Sequence, residues 1–272
     1  MSARSYQNKV VVITGGSSGI GFAMAKIFAA QDAQLVLIAR DEVKLNASKK
    51  TLENLSPSGK AVDIFCADVS HKEAITKAIN SIGEKYSKID LLICCAGIMS
   101  FGKFKDQSVE DLEECMDVNY YGCMYAARAA WKYLRNSKGQ LSFVSSVAGY
   151  MGLFGYSSYA PPKFALMGLA ESLRMEAKDD DINVSIIYPP DTDTPFLQYE
   201  HANTLPECKA LAANIKVKTA DFVAQKYFSA LQKNKFEIYC DMDSKLLRWF
   251  KNNFPGMANY FTWRIIEKSR KK

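Results

Sequence analysis

Six short runs of β-branched and aliphatic residues recur along the chain, spaced so that one or more helices fit between neighbours. They are KVVVIT (9–14), QLVLIA (34–39), AVDIFC (61–66), DLLICC (90–95), QLSFVS (140–145) and INVSIIY (182–188). A shorter seventh, FEIY, lies at 236–239. Several are apolar at consecutive positions, so both faces of the strand must be covered, as in a parallel sheet between helices. The stretches between them change to a helical period. Ile20, Met24, Ile27 and Phe28 share one face, and helices are expected over 41–54, 71–86, 108–136 and 157–178. Strand and helix in alternation predict right-handed βαβ crossovers and an α/β, doubly wound parallel sheet. No repeat, low-complexity tract or long linker interrupts the pattern, so a single domain is expected.

Composition narrows the class. A chain of 272 residues that is 48% hydrophobic can bury a large core. Its seven cysteines (Cys66, Cys94, Cys95, Cys115, Cys123, Cys208, Cys240) are odd in number and lack metal-ligand spacing. Adjacent Cys94 and Cys95 should point to opposite faces of a strand. Reduced thiols in a cytoplasmic setting are expected, with no metal and no disulfide framework. The opening MSARSYQNK carries no secretory pattern, and no run of about 18 apolar residues could span a membrane.

The formal charge of +6 is concentrated at one end. Lys245, Arg248, Lys251, Arg264, Lys268, Arg270, Lys271 and Lys272 face only Glu267, which makes residues 245–272 +7 and leaves 1–244 at about −1. A near-neutral body argues against a nucleic-acid groove. The division expected is a body, 1–244, with a substrate loop at 189–215, and a basic aromatic extension, 245–272. In that extension LLRWF (246–250) and NYFTWRII (259–266) mix aromatic residues with cations. The pattern suits peripheral, salt-sensitive contact with a membrane interface. It suits equally a helix folded over a cleft.

Two motifs carry chemistry. The first strand ends in T-G-G-S-S-G-I-G, Thr14 to Gly21, and a helix follows at once. Glycines there let the backbone approach a ligand, and the helix N-terminus offers free N–H groups to a pyrophosphate. With a strand before and a helix after, Gly15, Ser17, Ser18, Gly19, Ile20 and Gly21 read as a dinucleotide phosphate loop on a Rossmann-type sheet. The second motif is YAPPK, Tyr159 to Lys163. Residues four apart share a helix face, yet Pro161 and Pro162 lie between them. Prolines cost little in the first turn, so a helix starting within a residue or two of Tyr159 and capped by Ser157 or Ser158 would keep the pair together.

The spacing Gly15, Gly19, Gly21, together with Asn119 in V-N-Y-Y-G, Ser146 and YAPPK, resembles the short-chain dehydrogenase/reductase family over about residues 8–240. The resemblance implies a reductase with Tyr159 as proton donor, Ser146 hydrogen-bonding the substrate oxygen, and Asn119 holding a relay water. Lys163 would hold the nicotinamide ribose and lower the tyrosine pKa. Ser146 lies thirteen residues before Tyr159 and Ser145 is the neighbouring alternative. After the second strand, where an acid would hold the ribose hydroxyl of NAD, stand Arg40 and Lys44, so NADPH/NADP+ is the expected cofactor. Asp41 and Glu42 lie beside them, and a solvated basic pair is the plainer alternative. By the same resemblance Asp68 and Val69 border the adenine, Ala96 and Gly97 its ribose, and Pro189, Thr192 and Thr194 the nicotinamide. The chain departs from the family at Cys94–Cys95, which stand where N-N is usual and so remove a side chain that ties strands together.

G-L-F-G-Y (152–156) and P-P-D-T-D-T-P (189–195) resemble the branch of the family that reduces 3-ketosphingoid bases. That resemblance implies a long-chain lipid substrate. In a eukaryotic cell it implies work at the cytosolic face of the endoplasmic reticulum. Reduction of another lipophilic carbonyl (retinoid, steroid or 3-oxoacyl) is the near alternative. A non-catalytic NADP(H)-binding regulator is the alternative of another class. A homodimer or homotetramer through 108–136 and 157–178 is expected, with Ala126, Ala127, Ala165 and Leu169 as small or apolar contact residues.

Overall fold

A computed structural model describes residues 4–271 and builds a seven-stranded sheet in the order β3-β2-β1-β4-β5-β6-β9. The strands are β1 (Val10–Thr14), β2 (Gln34–Ala39), β3 (Asp63–Cys66), β4 (Leu91–Cys94), β5 (Gln140–Val144), β6 (Asn183–Tyr188) and β9 (Glu237–Tyr239). Every pairing is parallel. Each expected run forms its strand, shortened by two residues at most. Alternate residues serve opposite cores: Val10, Val12, Val36 and Ile38 pack on one face, Val11, Ile13, Leu35 and Leu37 on the other. Two buried faces are why these strands are apolar throughout.

One face is covered by α3 (Lys72–Tyr86), α5 (Gly122–Ser137) and α6 (Ala160–Glu176); the other by α1 (Gly19–Ala30), α2 (Glu42–Leu55) and α9 (Ala220–Leu231). Ala126 and Ala127 lie inside the first of these cores. Neither is available to a subunit contact, while Ala165 and Leu169 are only half-buried. Because strand order reverses between β1 and β4, their carboxyl ends open a crevice there.

Three segments differ from expectation. The helix expected over 108–136 is divided into α4 (Val109–Met116), a π-helical turn (Asp117–Tyr121) and α5. The expected loop at 189–215 contains β7 (Thr192–Asp193), α7 (Pro195–Asn203) and α8 (Pro206–Ala212). Pro195 and Pro206 sit in first turns, where no N–H is needed, and Thr194 caps α7 by accepting from Leu197 N. β7 pairs with β8 (Lys218–Thr219) outside the main sheet.

The basic extension is two helices, α10 (Met242–Asn253) and α11 (Pro255–Ser269). α10 begins ahead of residue 245 because Asp241 caps it, accepting from Ser244 N at 2.9 Å. Both helices fold back on the body. Arg248 pairs with Glu237 at 2.7 Å and lies over the rings of Tyr150 and Tyr188. Arg270 pairs with Glu207 at 3.1 Å and lies over Phe154. Lys272, the last cation of the extension, lies outside the described residues. Among those described, no helix is long and apolar enough to cross a membrane.

Candidate active site

The β1–α1 turn is built for close approach. Gly15 has φ +68°, and a Cβ on it would lie 2.8 Å from Ala96 Cα. The first intrahelical bond of α1 runs from Phe22 N to Ser18 O, so the amides of Gly19, Ile20 and Gly21 precede the ladder. Ser18 caps the helix without a side-chain bond, and no acid stands in the first turn. Free N–H groups and an uncontested positive helix end are what a pyrophosphate requires. The residues fit a dinucleotide on that ground. The Ser17 carbonyl accepts from Ser48 Oγ at 3.2 Å, which ties the turn to α2.

Cys94 fills the core and Cys95 lies on the opposite side of the strand, and all seven cysteines are free. The strand tie absent at Cys94 comes instead from Thr14. Its hydroxyl accepts from Cys95 N at 3.1 Å and Ala96 N at 3.3 Å, which locks the end of β1 to that of β4.

YAPPK is helical. α6 starts at Ala160, with Tyr159 as the preceding cap residue and the prolines at its second and third positions. Neither proline loses a ladder bond there. The expected serine cap is not made. Ser157 Oγ donates to Gln107 Oε1 at 2.6 Å and Ser158 Oγ to Ser100 O at 2.7 Å, so both hydroxyls brace the turn from outside. The Tyr156 carbonyl closes the turn that leads into α6, accepting from Tyr159 N and Ala160 N. Tyr159 and Lys163 therefore share one face, with Lys163 Nζ 5.5 Å from the centre of the tyrosine ring.

Ser146 and Ser145 separate as alternation requires. Ser145 is buried and donates to Lys163 O at 3.0 Å, anchoring α6. Ser146 is the half-buried one, its Oγ accepting from Ala148 N at 3.1 Å and lying near the Tyr159 hydroxyl. Asn119 sits on the π turn, fully buried. It donates to Cys115 O and Ile98 O, both at 2.8 Å, and accepts from Ile98 N at 3.3 Å. Gly97 passes between Asn119 and Lys163, and a Cβ there would lie 2.7 Å from Asn119 Oδ1 and 3.5 Å from Lys163 Nζ. Lys163 Nζ donates to Val144 O at 3.1 Å.

The electrostatics correct one expectation. Lys163 does not set the tyrosine pKa of the protein alone. Burial dominates and raises Tyr159 above its ordinary value, opposed by the Ser146 hydroxyl and reinforced by the charge of Glu200. Burial likewise pushes the Lys163 ammonium down, against the pull of nearby thiols. A phenol held in its protonated form is suited to donating a proton to a carbonyl oxygen.

Tyr159, Lys163, Ser146, Ser145, Gly15, Ser18, Gly19, Ile20, Gly21, Ala96, Gly97, Pro189, Thr192 and Thr194 line one cavity of about 740 Å³. Thr194 stands over the phosphate loop, its Cγ2 3.3 Å from a Cβ placed on Gly19. Thr192 Oγ1 donates to Pro190 O at 2.6 Å. Arg40, Lys44, Asp68 and Val69 lie outside this cavity. Asp68 accepts from Ser70 and pairs with Arg40 at 3.4 Å, while Lys44 pairs with Asp41 at 3.2 Å. Val69 is buried against Gly122.

Tyr156, Asp191, Phe196 and Glu200 also line the cavity and were not singled out from the sequence; Leu247, Phe250, Phe261 and Ile265 of the extension line it too, in keeping with the reading of a helix folded over the cleft. Tyr156 and Asp191 lay within the two quoted strings. Nothing in the local pattern distinguishes Glu200 from any polar helix residue.

A parallel doubly wound sheet, a phosphate loop and a buried tyrosine–lysine pair beside a serine define a nicotinamide-dependent oxidoreductase that interconverts carbonyl and alcohol. The chain belongs to the short chain dehydrogenase family, which it matches over residues 9–204. It is 40% identical over 219 residues to a 3-dehydrosphinganine reductase of Danio rerio, covering 79% of this chain and 66% of that protein. With a 3-ketodihydrosphingosine reductase of Bos taurus it shares 38% over 241 residues, 87% of this chain and 72% of the other. It also shares 30% over 272 residues with the uncharacterized oxidoreductase YxnA of Bacillus subtilis, 98% of this chain and 74% of that one. The fold matches a short chain dehydrogenase/reductase from Burkholderia phymatum, solved in complex with NAD, with a TM-score of 0.82 at 23% identity, over 93% and 96% of the two chains.

Proposed function

We propose that the protein reduces a long-chain 3-ketosphingoid base to its 3-hydroxy form with NADPH. The observation that carries this reading is one cavity joining the Tyr159 site to an apolar wall built from α10 and α11. A small polar ketone would not need Phe250, Phe261 and Ile265 around it, whereas an alkyl chain would bury them. The activities for which the zebrafish and bovine relatives are named support the same substrate.

When bound, the reduced nicotinamide supplies a hydride to the carbonyl carbon. The chain's residues handle the oxygen. Ser146 Oγ donates to it as negative charge develops, and Tyr159 Oη delivers the proton. Lys163, fixed by Val144 O and by the Ser145 anchor, keeps its ammonium below the ring. Asn119 holds the neighbouring backbone rigid. Arg40, at the end of β2, supports a preference for the 2′-phosphate of NADPH.

The lipid also favours membrane contact. Trp249, Phe254, Met257, Tyr260, Phe261, Trp263 and Ile265 are exposed on α10–α11 beside Lys251, Arg264 and Lys268. Seated at an anionic interface, that face would put the cavity mouth at the depth of the acyl chains. Co-sedimentation should rise with anionic lipid and fall with salt; salt-independent or absent sedimentation defeats this part.

The decisive assay follows dinucleotide oxidation by purified protein with 3-ketosphinganine, NADPH against NADH. Faster oxidation with NADPH is expected, abolished in Tyr159→Phe. Failure to reduce the ketosphingoid, with turnover of a retinal, steroid or 3-oxoacyl substrate, would assign the site to another lipophilic carbonyl.

A further inference from the structure

Two carboxylates of the cavity stand without a cation. Asp191 follows β6 and Glu200 projects from α7, and both line the space that contains Tyr159. Of the other charged residues lining the cavity, Lys163 is held by Val144 O, and exposed Lys216 and Asp243 form no salt bridge among the described residues. Asp241 pairs with Lys218 at 3.5 Å and caps α10. Among the described residues neither Asp191 nor Glu200 forms a salt bridge, and His201, next along α7, is exposed and forms none. Burial raises the pKa of both acids, against the lowering influence of His201 on each and of the Tyr156 hydroxyl on Glu200.

Glu200 is nevertheless positioned. The Tyr156 hydroxyl donates to its Oε1, and the Tyr156 ring lies 6.2 Å from that of Tyr159. Glu200 and Tyr159 line the same cavity, so the carboxylate faces the space into which a substrate at Tyr159 extends. An uncompensated carboxylate penalises a neutral ligand that displaces water from it and favours one that brings a positive charge.

We propose that Glu200, oriented by Tyr156 and reinforced by Asp191, binds a substrate ammonium group on the carbon next to the reacting carbonyl. The inference rests on the reading of the substrate as a 3-ketosphingoid, whose primary amine occupies that carbon. With the carbonyl oxygen between Ser146 and Tyr159, the amine is one carbon removed and turned toward α7. The carboxylate selects an amino ketone over a plain alkyl ketone. It also draws the chain so that the ketone, and not the terminal hydroxyl, meets Tyr159.

The test compares 3-ketosphinganine with the same chain lacking the amine, 1-hydroxyoctadecan-3-one, each with NADPH. For Glu200→Gln, loss of a charge-assisted hydrogen bond should raise KM for the amino ketone by roughly 10- to 100-fold. Its kcat should change little, and KM for the amine-free ketone should stay level or fall. Asp191→Asn should act in the same sense but more weakly, which keeps the inference testable if Glu200→Gln folds poorly. Equal losses on both ketones, or none on either, overturn the role of Glu200 while leaving the substrate reading intact. Wild-type protein that ignores the amino ketone overturns both.

Discussion

Replacing Gly97 by alanine perturbs the catalytic residues without removing a chemical group. The added methyl would stand 2.7 Å from Asn119 Oδ1 and 3.5 Å from Lys163 Nζ. Ordinary carbon–oxygen contact needs a movement of roughly 0.7 Å, judged against normal van der Waals separation. Asn119 resists it, being buried and held by Cys115 O, Ile98 O and Ile98 N. The strain therefore passes to the π turn or to the β4 loop, and overpacking of this kind costs about 1–3 kcal/mol. At about 2 kcal/mol a domain of this size should melt roughly 4–8 °C lower. Displacement of the Lys163 surroundings by a fraction of an ångström should lower kcat by about 10- to 100-fold. Calorimetry and steady-state NADPH oxidation read the two effects. Adding Asn119→Ala removes the clashing oxygen, so the double variant should be more stable than the summed losses imply. A melting temperature and kcat indistinguishable from wild type would refute the close packing of Gly97, Asn119 and Lys163.

Because burial holds Tyr159 above its ordinary pKa, the phenol stays protonated as pH rises. Ketone reduction should hold its rate through about pH 9, below the ordinary tyrosine value, while alcohol oxidation, which needs the phenolate, should climb; a reductive rate falling near neutrality contradicts this. Pro161→Ala and Pro162→Ala should each lose only about 0.5–1 kcal/mol, through greater freedom of the unfolded chain. Their kcat should be unchanged, and a large loss would mean that the prolines hold Tyr159 and Lys163 together. Brief treatment of native protein with N-ethylmaleimide should add one label, at exposed Cys66. Cys95, its thiol pushed up to about 12 by burial, should react only after unfolding, and early labelling there would show by peptide mass.

Much of the fold was readable because a buried parallel strand has few disguises. QLVLIA is apolar at nearly every position since both its faces are covered, and β2 occupies just those six residues. The phosphate loop was readable for a related reason: a glycine at φ +68° and a helix N-terminus are local properties of consecutive residues. The Tyr159–Lys163 pairing followed from helical spacing once the prolines were assigned to a first turn. What spacing does not carry is who receives each hydrogen bond. Ser157 and Ser158 look like caps, yet Gln107 and Ser100, about fifty residues away in sequence, claim their hydroxyls. Ser145 and Ser146 are neighbours whose roles are separated by the side of β5 on which α6 packs.

The sequence alone therefore determined the sheet, the phosphate loop and the face shared by phenol and ammonium, because each depends on periodicity or backbone angle within a few residues. That burial is the largest influence on the Tyr159 phenol, raising its pKa, came from packing between distant segments. Packing also brought Glu200 into the reaction cavity and chose, of the two readings of the extension, the one that covers the cleft. Those outcomes depend on which distant surfaces exclude water from one another, and linear order does not encode that distance.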